Sequence, residues 1–372
     1  MKFTCTKENL NKALSLVSPL ANKVGHLPIL MNILINAGDG GVELVSTNLE
    51  IAVKTSLRAK VDGKGAFTVP AKTLFDYVNL LPEGQVEIAL ERVELLIKSG
   101  SSSTKIKGMP AEEFPVVPGV EEEKVFVLDA AALKKALSET VIAAAKNEIR
   151  PELSGLFMSF NKKDGELVLA ATDSYRLAEA RLKIIQGDEK TEAIVPARTV
   201  YEIIRLIGVS RELDKEKNIR VWISENQIAA RYDNFEMTSR LIAGKYPDYE
   251  QIVPAEFKSR AVFPAEVVVK NIKAASLFTT AGINAVVFDL NSDTNILAIS
   301  STSAQTGEHN SEIDAEIEGE ENSILLNHRY VLDGLAQING EVIFGVNSSD
   351  APCLFRPKEN NNFLYIVMPI RQ

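Results

Sequence analysis

Lysine and arginine recur at matched places in this 372-residue chain, inside segments with helical spacing. Lys7 and Lys12 lie in the first such segment, Lys72 opens the second, and Lys134 and Lys135 lie in the third. Arg198 and Arg205 are seven apart and share one face of the fourth, while Lys270 and Lys273, three apart, share a face of the fifth. His328 and Arg329 open the sixth. Such side chains hold phosphate oxygens. A basic stripe on an otherwise acidic protein would bind a polyanion through its backbone, without reading bases, and salt would weaken that binding strongly. Glu8, Glu139, Glu202 and Glu266 lie in the same segments, so any one lysine is better read as an ordinary solvated residue. The recurrence carries the reading. The net charge of −9 and pI near 5.2 argue against a basic surface overall, and acidic residues crowd 121–123 and 312–321.

Other chemistry is sparse. There is no GxxxxGK[ST] loop, no GxGxxG after a strand, no HExxH and no GxSxG. Asp173, in ATDSYRLA, is the one carboxylate that suggests acid–base work, and a turn-capping role explains it more cheaply. The expectation is a protein without a catalytic site or cofactor. Cys5 and Cys353 stand at opposite ends and read as buried apolar residues, not a disulfide or metal pair. His26, His309 and His328 are scattered without ligand spacing, so no metal is expected.

The elements that must position these residues come in threes. An extended start runs into an amphipathic stretch at 3–17, 126–141 and 262–278. Later in each third a second phrase recurs: GAFTVPAKTLFDYVNLL, TEAIVPARTVYEIIRLI and NSILLNHRYVLDGLAQI. A period of about 120–135 residues is too long for a solenoid repeat and has the size of a domain. Each third reads as two helices among alternating strands, and the buried strand faces belong under the helices, which makes the class α+β. Helices are expected near 6–20, 71–81, 130–145, 198–206, 265–277 and 329–338. The boundaries expected from this pattern are 1–122, 123–256 and 257–372. One phrase breaks the symmetry: ATDSYRLA has no close sequence echo in STNLEIAV or SSTSAQTG. MKFTCTKENL turns polar at once, without a signal-peptide core, and no run approaches the ~20 apolar residues of a membrane span, so the expected location is cytoplasmic, with no membrane partner.

Over its full length the chain resembles the bacterial DNA polymerase III beta subunit family, the sliding clamps. The resemblance rests on MKFT, LPIL at 27–30, TVPA at 68–71, IVPAR at 194–198, ATDSYRLA at 171–178, KYPDY at 245–249 and YIVMPIRQ at the end, in this order and with the threefold repeat. It implies three similar clamp domains per chain, each with two helices packed on antiparallel sheets. Two chains would join head to tail in a closed six-domain ring around duplex DNA, tethering the replicative polymerase. Implied partners are double-stranded DNA at a primer-template, the replicative polymerase, the clamp loader, and repair or translesion polymerases that bind through short linear motifs. The implied DNA contacts are Lys72, Arg150 in the KNEIR loop and Lys23 in NKVGH, beside Lys134, Lys135, Arg198, Arg205, Lys270 and Lys273. The implied partner pocket comprises Leu153, Thr172, Ser174, Tyr175, Arg176, Leu177, Pro247, Ile252, Val367, Met368, Pro369, Ile370 and Arg371, with Arg176 offering donors to peptide carbonyls. Read without the resemblance, Arg176 is a structural partner of Asp173 and 366–368 an ordinary core strand. The family often has His where this chain has Tyr175. For the subunit joint, the resemblance implies pairing of 103–108 with the last third near 273–278, with Ile106 and Leu277 as anchors. The rival reading is a repeat scaffold that binds proteins and no nucleic acid.

Overall fold

A computed structural model describes residues 1–21, 27–117, 119–146, 149–163, 165–211, 217–280 and 282–371. Lys23 therefore lies outside the described residues. Among them are six α-helices: α1 (Lys7–Ala21), α2 (Ala71–Leu80), α3 (Ala130–Val141), α4 (Ala197–Arg211), α5 (Ala265–Ser276) and α6 (His328–Leu335). α1 keeps its expected length, shifted by one residue; α4 runs longer than its apolar spacing predicts, and α3 and α6 stop short. α1 keeps Pro19 inside its last turn.

The recurrent strand–Pro–Ala phrase explains how the helices begin. Strands Gly65–Pro70, Thr191–Pro196 and Ser259–Pro264 pass directly into α2, α4 and α5. Proline has no N–H to lose at that junction and its φ is already set. Pro70 and Pro264 supply no side-chain cap, whereas Asn327, which replaces proline in the last third, accepts a hydrogen bond from the Arg329 N–H at 3.0 Å. Each helix buries one stripe: Leu10, Leu14 and Val17 in α1, Leu74 and Val78 in α2, Val268 and Ile272 in α5.

The chain divides into two compact units, one of residues 1–131, 185–187 and 202–241, the other of 132–184, 188–201 and 242–372. In the first unit, a five-stranded sheet ends on the edge strand Ser102–Lys107. A nine-stranded antiparallel sheet continues from the first third into the second, where Ile51–Leu57 pairs with Phe235–Arg240 in the register Ile51↔Ser239 to Thr55↔Phe235. In the second unit, another nine-stranded sheet continues from the second third into the last, where Arg176–Lys183 pairs with Phe363–Val367, Arg176 opposite Val367. A four-stranded sheet there ends on the edge strand Gly307–Asp314. The thirds are thus joined by backbone ladders as well as along the chain. The acidic segment at 121–123, where the first two thirds meet, is tied to the fold: the Trp222 indole donates to the Val120 carbonyl at 3.3 Å, and Glu122 pairs with Arg220.

Candidate partner pocket and nucleic-acid interface

The Thr172–Arg176 turn is built by its own side chains. The Thr172 hydroxyl accepts from the Ser174 N–H and donates to the Arg176 carbonyl, at 3.1 and 2.7 Å. One carboxylate oxygen of Asp173 accepts from the N–H groups of Tyr175 and Arg176. Asp173 is thus a turn cap, the cheaper of its two sequence readings. Ser174 sits at φ +74°. The turn leaves Tyr175 63% exposed, and its ring stacks on Tyr330 of α6 with centroids 6.5 Å apart. The Tyr175 carbonyl accepts from the Met368 N–H at 2.8 Å, and the Ile370 N–H donates to the Leu325 carbonyl at 2.8 Å, so the C-terminal segment is laced along the turn.

Arg176 departs from its expected role. It is 5% exposed, and its Nε donates to Asp173 at 3.0 Å while Nη1 donates to Asp333 at 2.6 Å. Its guanidinium carbon lies 4.7 Å from the Tyr330 ring centroid. Burial works against its charge, but Tyr365 and Asp333 outweigh that and hold it firmly protonated. The guanidinium is the fixed floor of the site and is not presented to peptide carbonyls. Leu153, Leu177 and Val367 are buried as well, and Leu153 and Leu177 join Ile194, Tyr246, Tyr249 and Ile366 in one apolar cluster. Tyr246 accepts from the Thr172 N–H, and Tyr249 donates to Glu179; burial pushes both phenols up, with Glu179 adding to the effect on Tyr249. The accessible members of the expected set are Ser174, Tyr175, Ile252 and Arg371, with Pro247, Met368, Pro369 and Ile370 half-buried. Together they form an apolar ledge around a rigid turn. Sequence reasoning missed Tyr330, Asp333 and Tyr365. Tyr330 and Asp333 sit three residues apart on α6 and carried the only available signal, an aromatic and an acid on one helix face.

The basic residues divide in two. Arg198, Lys135, Lys270 and Lys273 are exposed on their helices and Lys134 is half-buried. Lys72 pairs with Asp76 at 2.6 Å and Arg150 with Glu152 at 3.0 Å at the surface, while Lys135 reaches the buried Glu139 at 3.6 Å. Arg205 is different. It donates to the Ser15 and Leu16 carbonyls of α1 at 2.9 and 2.6 Å and pairs with Glu202. It ties two helices together and is spent as a phosphate ligand. At the expected joint, Leu277 is 71% exposed, but Ile106 is 6% exposed, its side chain consumed by its own sheet. Both cysteines are buried and free, and burial pushes the Cys5 thiol up to about 12. Among the described residues no His, Cys, Asp and Glu side chains gather as metal ligands do, and no helix is long and apolar enough to cross a membrane.

Comparison with known proteins matches every third. Residues 1–118, 127–248 and 250–371 match the models of the N-terminal, central and C-terminal domains of the DNA polymerase III beta subunit. The chain is 29% identical to the beta sliding clamp of Synechococcus elongatus and 28% identical to that of Staphylococcus epidermidis, covering 100% of this chain and 99% of each relative. Its fold superposes with a TM-score of 0.92 on the Thermotoga maritima DNA polymerase III beta subunit, at 28% identity over 100% of this chain and 99% of that one. The same score, at 27% identity and full coverage of both chains, relates it to a Pseudomonas aeruginosa sliding clamp bound to griselimycin.

Proposed function

The chain belongs to the DNA polymerase III beta subunit family, and from that membership we infer that it acts as a sliding clamp, the processivity subunit that keeps a replicative polymerase on duplex DNA. The observation that carries this is the match of all three thirds, in order, over the whole length. Two copies join head to tail, and six domains close a ring. A heterologous contact whose rotation closes makes a ring instead of a filament. The domains run 1–122, 123–256 and 257–372.

Two of the sheet edges support this joint. Ser102–Lys107 carries Lys105 and Lys107, and Gly307–Asp314 carries Glu308, Glu312 and Asp314. An unpaired edge is a template for a further strand, and opposite charge selects one edge for the other. Leu277 supplies apolar contact beside them, while buried Ile106 supports its strand from behind.

Lys23, Lys72, Lys134, Lys135, Arg150, Arg198, Lys270 and Lys273 contact phosphates. Weak, sequence-blind contacts suit sliding, since a strong or base-specific one would arrest it. No bond is made or broken, so the protein is not an enzyme. It works in the cytoplasm, where the clamp loader places it at a primer-template. The ledge around Tyr175, Ile252, Met368 and Ile370 receives the linear motifs of the polymerases, held by apolar contact and not by Arg176. Griselimycin on the Pseudomonas clamp supports a ligandable surface in such proteins.

Retention on DNA of different topology tests the mechanism. The loaded protein stays on a nicked circle and is lost once the circle is linearised; equal retention on both forms overturns it. Charge reversal at Lys134, Arg198 and Lys273 lowers retention on the circle while partner-peptide binding persists. A protein-binding scaffold would be indifferent to that change.

A further inference from the structure

The phrase that opens α2, α4 and α6 sets matching places in all three thirds. A cation stands at the second helical position, as Lys72, Arg198 or Arg329, and an acid four residues later, as Asp76, Glu202 or Asp333. Three residues after the cation stand Phe75, Tyr201 and Leu332. That spacing is close to one helical turn, so each of these side chains lies on the cation's face. Phe75 and Leu332 are half-buried and carry no polar atom. Tyr201 is 54% exposed, and its phenol neither hydrogen-bonds nor stacks on another ring among the described residues.

Packing accounts for Phe75 and Leu332. It does not account for Tyr201, whose ring forgoes much of the gain of burial and whose hydroxyl serves no group of the fold. The cations of α4 differ as well. Arg205 is tied to the carbonyls of α1, while Arg198 is exposed. The first turns of α4 thus present Arg198 and Tyr201 side by side, a fixed positive charge and a neutral donor. Phosphate oxygens accept from both, and a tyrosine hydroxyl is among the groups that hold a nucleic-acid backbone without reading bases.

We propose that Tyr201 is a further DNA contact of this protein, its hydroxyl donating to a phosphate oxygen of the duplex next to the phosphate that Arg198 meets. The proposal rests on the reading of Arg198 as a phosphate contact and adds a contact of a different kind. A cation that neutralises a phosphate releases a condensed counterion, so salt competes with it; a hydroxyl releases none. Tyr201 therefore holds the backbone equally at low and high salt, where the cations weaken.

The test titrates the full-length protein with a short fluorescent duplex, whose free ends let it enter the ring, across a range of about 50 to 200 mM salt. Tyr201→Phe removes only an exposed hydroxyl, so the melting temperature stays that of the parent. It lowers affinity about three- to tenfold, the scale of one hydrogen bond, and leaves the slope of log affinity against log salt unchanged. Arg198→Ala lowers affinity and makes that slope shallower by about 0.9. Unchanged affinity in Tyr201→Phe, with Arg198→Ala behaving as stated, overturns the proposal and leaves the reading of Arg198 standing. A shallower slope in Tyr201→Phe overturns it too, because the hydroxyl would then act through Arg198. A loss seen only in binding of the polymerase subunit would turn Tyr201 toward a protein partner, and the proposal falls. If Arg198→Ala changes neither affinity nor slope, the phosphate reading of α4 falls and takes the proposal with it.

Discussion

Arg176 and Arg205 are long cations to which the family resemblance gives ligand-facing roles, and both are held inside the fold. Arg205 donates two charge-assisted bonds to the Ser15 and Leu16 carbonyls within α1 and neutralises Glu202. Arg205→Ala should therefore lower stability by about 1–3 kcal/mol, measured by urea denaturation, since it strands polar groups it now satisfies. Lys273→Glu should leave the denaturation midpoint nearly unchanged and lower DNA retention. If Arg205→Ala leaves the midpoint in place, the brace contributes nothing. His328, at the start of α6, is buried and its Nδ1 has no hydrogen-bond partner among the described residues. Burial, then the neighbouring Arg329, pushes its imidazole below the ordinary value. The unfolded chain thus takes up this proton first as pH falls. The associated stability is complete above about 6.5 and is lost as pH drops through and below that value. His328→Asn should flatten this part of the melting temperature profile between pH 7.5 and 5.5; an unchanged slope would remove His328 from the account. Asp173 shows what a residue reading can reach: its turn cap was legible because the partners lie two and three residues away. The commitment of Arg176 to Asp333 was not, because 157 positions separate them.

At the scale of elements, the repeated strand–Pro–Ala phrase located the helices well, since proline sets the junction locally. The echo that failed in sequence held in backbone. STNL and TDSYR share few residues, yet Thr47 with Asn48 and Thr172 with Asp173 make the same turn, because short polar side chains that reach their own backbone are interchangeable there. What is unrepeated is the side chains the turn presents. Gly334 gives a sharper case. A Cβ at that position would stand 2.2 Å from the Tyr365 ring, so α6 can lie on the last strand only without one. Gly334→Ala should cost about 1–3 kcal/mol in chemical denaturation, with the helix displaced from Tyr365. A fully stable variant would mean that the contact relaxes freely.

For the whole molecule, the consequential features are edges and joints. The edges at Ser102–Lys107 and Gly307–Asp314 carry opposite charge, and the proposed ring pairs them between copies. Replacing Lys105 and Lys107 by Glu should convert dimer to monomer in analytical ultracentrifugation. Mixing that variant with one carrying Lys at 308 and 312 should restore a dimer across the swapped joint; failure of the mixture to associate would reject this pairing. By itself the sequence determined the threefold plan, the α+β class, the helix starts and the family, because these rest on local periodicity, proline chemistry and motifs contiguous along the chain. Only the tertiary structure decided which cations are exposed and which are tied into the fold. It also decided that the ledge is apolar around a locked arginine, and that the thirds are joined through strand ladders. Each of these depends on which distant groups meet, since the burial of a charge or the pairing of a strand is set by neighbours that sequence spacing does not specify.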